Sequence, residues 1–203
     1  TNDDAATLAI DDVTMSEGTS GTATYTFTTT LTGDIDQAFT VDYATQDGTA
    51  TTADGDYTQT NGTLNFAGTN GETQTFSVDV SGDEKVELDE AFSVLLSNLQ
   101  AGGKAITITD ATGAGTITND DAATLSINDV TLAENADGGA TTAFTFTVTL
   151  DKAVDTGFTI DYGTGDNTAT TASSDYTAST GQLNFTGTTA GETQTITVTV
   201  AND

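Results

Sequence analysis

Carboxylates recur in clusters along this chain. Asp47 stands near Asp54 and Asp56. Asp83, Glu84, Glu87, Asp89 and Glu90 follow within eight positions, and Asp120 and Asp121 are adjacent. Carboxylate oxygens are hard donors, the type that calcium gathers six to eight at a time at about 2.3–2.6 Å. Magnesium fits less well, because it keeps its water and demands stricter geometry. There is no histidine and no cysteine, so metals that prefer imidazole or thiolate have no ligands here. Thirty-one Asp and Glu face three lysines, for a formal charge of −28. Nucleic acid and anionic membrane surfaces would repel such a chain, since both need basic protein surface. Screening salt or divalent cations would suit it. Acidic solubility alone is the competing reading, and for Asp47, Asp54 or Asp89 taken singly, turn capping is the first expectation.

The elements that must position these groups belong to an internal repeat. Thr1-Asn-Asp-Asp-Ala-Ala-Thr-Leu-Ala-Ile-Asp-Asp-Val-Thr14 returns, almost unchanged, at Thr118–Thr131. Val41-Asp-Tyr43 returns as Ile160-Asp-Tyr162, and Gly71-Glu-Thr-Gln-Thr75 as Gly191-Glu-Thr-Gln-Thr195. The repeat sets the domain length. Residues 1–4 read as the tail of a preceding repeat, 5–121 as one whole domain, and 122–203 as a second whose last strands are missing. The whole is expected to be a window on a longer array.

Within each repeat, apolar residues alternate with threonine. Tyr25, Phe27 and Leu31 share one face of their run, as do Phe39, Val41 and Tyr43, and Phe76, Val78 and Val80. Period-two alternation with β-branched threonine on the other face predicts half-buried strands. Asp-Gly, Asn-Gly and Gly-Gly steps punctuate the runs as turns. The fold class is therefore all-β, an immunoglobulin-like antiparallel sandwich. Seven strands are expected in the first repeat, at 7–10 with an extension toward 15, 22–31, 38–44, 63–66, 73–80, 91–96 and 115–118. If strands alternate up and down, the loops holding Glu17, Asp47–Asp56, Asp83–Glu90 and Asp120–Asp121 all lie at one end. The other end keeps only Asp34, Asp36, Glu72 and Asp110.

Asp47-Gly-Thr-Ala-Thr-Thr-Ala-Asp-Gly-Asp-Tyr57 resembles a signature of Calx-β domains, and so does Asp166-Asn-Thr-Ala-Thr-Thr-Ala-Ser-Ser-Asp-Tyr176. Ser16-Glu-Gly18, Gly62-Thr-Leu-Asn-Phe66, Glu87-Leu-Asp-Glu-Ala-Phe92 and Gly115-Thr-Ile-Thr-Asn-Asp-Asp121 extend the likeness over the whole chain. The resemblance implies a seven-stranded sandwich with calcium bound at one tip. The ligands it implies are Glu17, Asp56, Asp83, Glu87, Glu90, Asn119, Asp120 and Asp121, with Glu134, Asp175 and Asp203 in the second repeat. Gly82-Asp-Glu84 and Asn119 replace acidic positions of the family pattern, which implies fewer ions or weaker binding, although asparagine still offers a carbonyl oxygen.

A calcium-binding structural repeat of a large extracellular bacterial adhesin or filament follows, with Ca2+ at the interdomain pole stiffening the array. Its expected partners are neighbouring repeats and copies of itself, with no nucleic acid and no membrane insertion. Two alternatives are an adhesion module for a glycan or protein receptor, and a regulatory calcium sensor of a membrane protein. No enzymatic activity is expected: the carboxylates sit on hairpin loops, and neither EF-hand nor phosphate-loop patterns occur.

Overall fold

The computed structural model describes residues 5–133 and 141–202. The chain divides into two compact units, Thr1–Asp83 with Leu88–Asp120, and Glu84–Glu87 with Asp121–Asp203. All fourteen described elements are strands. Among the described residues no helix is long and apolar enough to cross a membrane. The tail expected at residues 1–4 lies outside them.

The first unit holds β1 (Ala6–Ile10), β2 (Val13–Ser16), β3 (Gly21–Thr32), β4 (Phe39–Gln46), β5 (Asn61–Phe66), β6 (Thr73–Gly82), β7 (Glu90–Gln100), β8 (Ile106–Asp110) and β9 (Thr112–Thr118). One sheet runs β6-β3-β1-β8 and the other β2-β9-β7-β4-β5. The alternation read from the sequence is the burial pattern of the strands. Tyr25, Phe27, Thr29 and Leu31 of β3 are sealed from solvent, as are Val78 and Val80 of β6 and Val41 of β4. These faces meet in one core whose centre is the Phe92 ring of β7. That ring stacks on Tyr57 at 4.5 Å and meets Phe27 and Tyr25 at 6.0 Å each. Gly115 lies against it, where a Cβ would run into the ring. One polar atom breaks the pattern: Thr29 Oγ1 is buried without a partner, at the place where the second repeat carries Val148.

Two features differ from the expected antiparallel seven strands. Ile106–Asp110 forms a strand not anticipated, and the first and last segments of the repeat each cross from one sheet to the other. β1 lies parallel to β8 in the first sheet, and β2 parallel to β9 in the second. The crossing is pinned at Asp11 and Asp12. Asp11 Oδ1 accepts the Thr28 amide at 2.6 Å and Asp12 Oδ1 the Ala114 amide at 2.7 Å, so each carboxylate is bonded to a strand of a different sheet.

The second unit holds β10 (Leu125–Ile127), β11 (Thr142–Leu150), β12 (Phe158–Gly163), β13 (Thr180–Phe185) and β14 (Thr193–Val200). Its sheets are β10-β11-β14 and β12-β13. Val148, Leu150, Leu183, Phe185, Ile196 and Val198 form its core, with Phe146, Phe158, Ile160, Tyr162 and Tyr176 only partly covered. Glu84–Glu87 belong to this unit. Val86 bridges Val154 in parallel, donating its amide to Ala153 O and accepting that of Asp155.

Candidate metal centre

Register places the acidic loops of the first unit at one end. Gly21 of β3 pairs with Gly82 of β6, Ser16 of β2 with Thr118 of β9, and Glu90 of β7 with Ile117 of β9. The loops that leave these residues therefore emerge side by side. Gly82 permits a close approach, because a Cβ there would collide with the carbonyl oxygens of Gly18 and Glu17. Gly18 N in turn donates to Asp120 Oδ1 at 3.2 Å.

Here Glu17, Asp120 and Asp121 converge, each offering a carboxylate oxygen within 4.8 Å of the others. Glu17 and Asp121 are buried, 7% and 8% exposed, and Asp120 is exposed. Oxygens on opposite sides of one calcium ion lie up to about 5 Å apart, given metal–oxygen distances of about 2.3–2.6 Å. The spacing therefore fits a single ion, and the donors are of the hard type calcium takes. The negative field is felt nearby. The Tyr25 phenol, which donates to Met15 O at 2.6 Å, is pushed up to about 12 by burial and then by the charges of Glu17 and Asp120.

Other expected ligands are placed differently. Asp56 Oδ2 accepts the Thr51 amide at 2.6 Å, closing the loop it belongs to, and Asp175 Oδ2 does the same with Thr170 at 2.7 Å. Asp83 is exposed beyond β6, and Glu90 is half-buried as the first residue of β7. Glu87 is ion-paired with Lys85 at 2.6 Å, and the same ammonium reaches Asp155 at 2.9 Å. Glu87, then Asp155, hold that ammonium protonated beyond its ordinary range. The Asn119 backbone N–H donates to Asp89 Oδ1 at 3.1 Å. None of these six residues is a member of the three-carboxylate group. Glu134 and Asp203 lie outside the described residues.

Two cations near the carboxylates escaped the sequence reading. Lys152 Nζ stands 3.4 Å from Asp121 Oδ1, whose side chain is 1% exposed, and Lys85 serves Glu87 as described. The signal was present for Lys85, two residues from Glu87. For Lys152 only the fold reveals it.

The Asp-Gly-Thr-Ala loop is a hydrogen-bonded scaffold. Asp47 Oδ1 accepts from Tyr57 Oη at 2.7 Å and from the Thr52 amide at 3.0 Å, and Asp166 repeats this with Tyr176 and Thr171. Turn capping, the first expectation for Asp47, is what it does. The Tyr57 hydroxyl and then the Thr52 amide hold the Asp47 carboxyl below the usual range. A depressed folded value contributes stability that is present above the unfolded value of about 3.9 and is lost as pH falls through the folded one. We expect the urea midpoint of the first unit to fall as pH drops below about 4. Asp47→Asn should flatten part of that acid limb, and an unchanged limb would mean the loop's hydrogen bonds do not favour the ionised form.

The profile of the Calx-beta domain matches residues 1–131 and 118–203. No curated protein matches. Among solved structures, the chain is similar to "Crystal structure of Apo-form Calx CBD1 domain", at 27% identity and TM-score 0.49, covering 57% of this chain and 98% of that one. It is also similar to "Crystal structure of CBD12 from CALX1.2", at 24% identity and TM-score 0.49, covering 97% and 75%. A third, "Crystal structure of calcium binding domain CBD12 of CALX1.1", gives 24% identity, TM-score 0.49 and coverage of 94% and 74%.

Proposed function

Because this chain belongs to the Calx-beta domain family, in two tandem copies, we propose that it is a non-catalytic, calcium-binding structural segment of an extracellular bacterial adhesin or filament protein. The observation that carries the reading is the convergence of Glu17, Asp120 and Asp121 within 4.8 Å. Three carboxylates that close repel one another unless a cation sits among them or one takes up a proton. Calcium supplies that charge when bound. The chain's part is to hold the oxygens ready: the β2–β9 pairing sets Glu17 beside Asn119–Asp121, and the Gly18 amide orients Asp120. Asp56, Asp83, Glu87, Glu90, Asn119 and Asp175 remain candidates for further or outer ligands.

Asn119–Asp121 is the segment through which the first repeat leads into the second, so an ion held there would stiffen that connector. In an array of such repeats the same device would recur at each joint, and neighbouring repeats are the expected partners.

Calcium titration calorimetry on residues 1–203 tests it. We expect saturable binding, a higher melting temperature in calcium, and a lower one with a broader solution scattering profile after EDTA. A ligand present at about 1,000 times its dissociation constant adds about 4 kcal/mol of stability. An unchanged melting curve and scattering profile on chelation would remove the proposal.

A further inference from the structure

We infer that Tyr25 is a positioning residue for the calcium site: its hydroxyl holds β2 at the height on β9 that brings Glu17 to Asp120. The inference rests on the calcium reading above, and it assigns a role to a side chain that does not itself touch the ion.

The weakness it answers lies in β2. This strand is four residues long and, among the described residues, pairs with β9 alone. Val13 is half-buried and Thr14, Met15 and Ser16 are exposed, so little apolar surface presses β2 onto the core. Yet the residue that follows, Glu17, is 7% exposed and carries one of the three converging carboxylates. Segments with few buried apolar contacts open most readily. Any slip of β2 along or away from β9 moves Glu17 with it.

Tyr25 reaches this strand from the opposite sheet. Its ring leaves β3, is sealed from solvent, and meets the Phe92 ring at 6.0 Å. Across the core its hydroxyl donates to Met15 O of β2 at 2.6 Å and stands 3.4 Å from Thr116 O of β9. Met15 lies two residues before Glu17, and Thr116 four before Asp120. One phenol therefore meets the backbone of both strands that deliver these carboxylates, at the level where Thr14 is opposite Thr116 and Met15 opposite Ile117. Burial, and then the charges of Glu17 and Asp120, raise the phenol to about 12, so it stays a donor across the neutral range.

The internal repeat separates the ring from the hydroxyl. Tyr25-Thr-Phe27 returns as Phe144-Thr-Phe146. An aromatic ring at this position is common to both repeats, and the hydroxyl is what the first repeat adds. A buried tyrosine needs a partner for that hydroxyl; here the partner is the carbonyl two residues from a metal ligand. Tyr25→Phe keeps the ring that the second repeat already carries, so it removes the bond and leaves the packing.

Calcium titration calorimetry and amide exchange on the full 203-residue chain test the inference. Removing a group that orients metal ligands typically costs about 10–100-fold in affinity. We expect Tyr25→Phe to bind calcium about tenfold more weakly at unchanged stoichiometry. In EDTA its amides should exchange faster over Thr14–Ser16, with β6 unchanged. Tyr57→Phe is the control: it removes another phenol packed on Phe92, but one bonded to Asp47, and calcium affinity should stay at the wild-type value. If Tyr25→Phe binds calcium as tightly as wild type, the inference fails while the calcium reading stands. An equal loss in Tyr57→Phe would also overturn it, because a loosened core and not the bond to Met15 would be the cause. A wild-type chain that takes up no calcium would remove both.

Discussion

Replacing Phe92 with alanine is expected to lower the stability of the first unit by about 3–5 kcal/mol, the range for emptying a buried aromatic site. Phe92 is 2% exposed and is the ring on which Tyr25 and Phe27 of β3 converge with Tyr57 from the loop between β4 and β5. Gly115 cannot fill the space, and the Tyr25 and Phe27 rings belong to β3, which is held by a long ladder, so collapse around the void will be partial. β3 alone pairs with β6 over ten positions. At about 4 °C or more per kcal/mol for a unit of this size, the melting temperature should fall by at least about 12 °C. Leu88→Ala is the matched control: Leu88 is 77% exposed, and its loss should change stability by less than about 0.5 kcal/mol. Differential scanning calorimetry of the two variants separates them. A Phe92→Ala shift no larger than that of Leu88→Ala would mean that the sandwich does not close on this ring.

The same core explains what could be read in advance. Period-two alternation reported β3, β4 and β6 faithfully because each packs one face inward, so the hydrophobic pattern and the burial pattern coincide. It missed β8, although Ile106 and Ile108 alternate, because an edge strand half-buries its apolar residues. Nor does the pattern carry the identity of a partner: that β1 lies parallel to β8, and β2 to β9, depends on contacts about a hundred residues apart. The Asp11-Asp12 break marks where the crossing occurs, and the two partners that hold it, Thr28 and Ala114, are far from it in the chain.

The candidate metal site divides along the same line. Family motifs nominated Glu17, Asp120 and Asp121 together with Asp56, Glu87 and others. What separates these groups is geometry. Asp56 accepts the Thr51 amide, five residues away, and Glu87 pairs with Lys85, two residues away. Glu17 meets Asp120 only because β2 runs beside β9. Local hydrogen-bonding chemistry is visible in a short window, whereas convergence across a sheet is not.

That convergence makes Glu17→Gln the sharpest test of the calcium reading, because its effect should change sign with calcium. Without the ion, removing one of three clustered carboxylates relieves like-charge repulsion, and the amide keeps an acceptor oxygen in nearly the same volume. The apo variant should therefore be at least as stable as apo wild type. In saturating calcium the wild type gains the binding free energy, about 4 kcal/mol at 1,000 times the dissociation constant, and the variant loses most of it. Glu17 is 7% exposed, so water cannot readily replace the lost ligand. Melting curves of both proteins, with calcium and with EDTA, should cross in order of stability. Asp54→Asn provides the contrast: Asp54 is exposed and accepts from Thr51 Oγ1 at 2.9 Å, and its loss should leave the calcium increment intact. If Glu17→Gln instead lowers stability equally in both conditions, Glu17 acts only as a packing and hydrogen-bonding group, and the ion is held elsewhere or not at all.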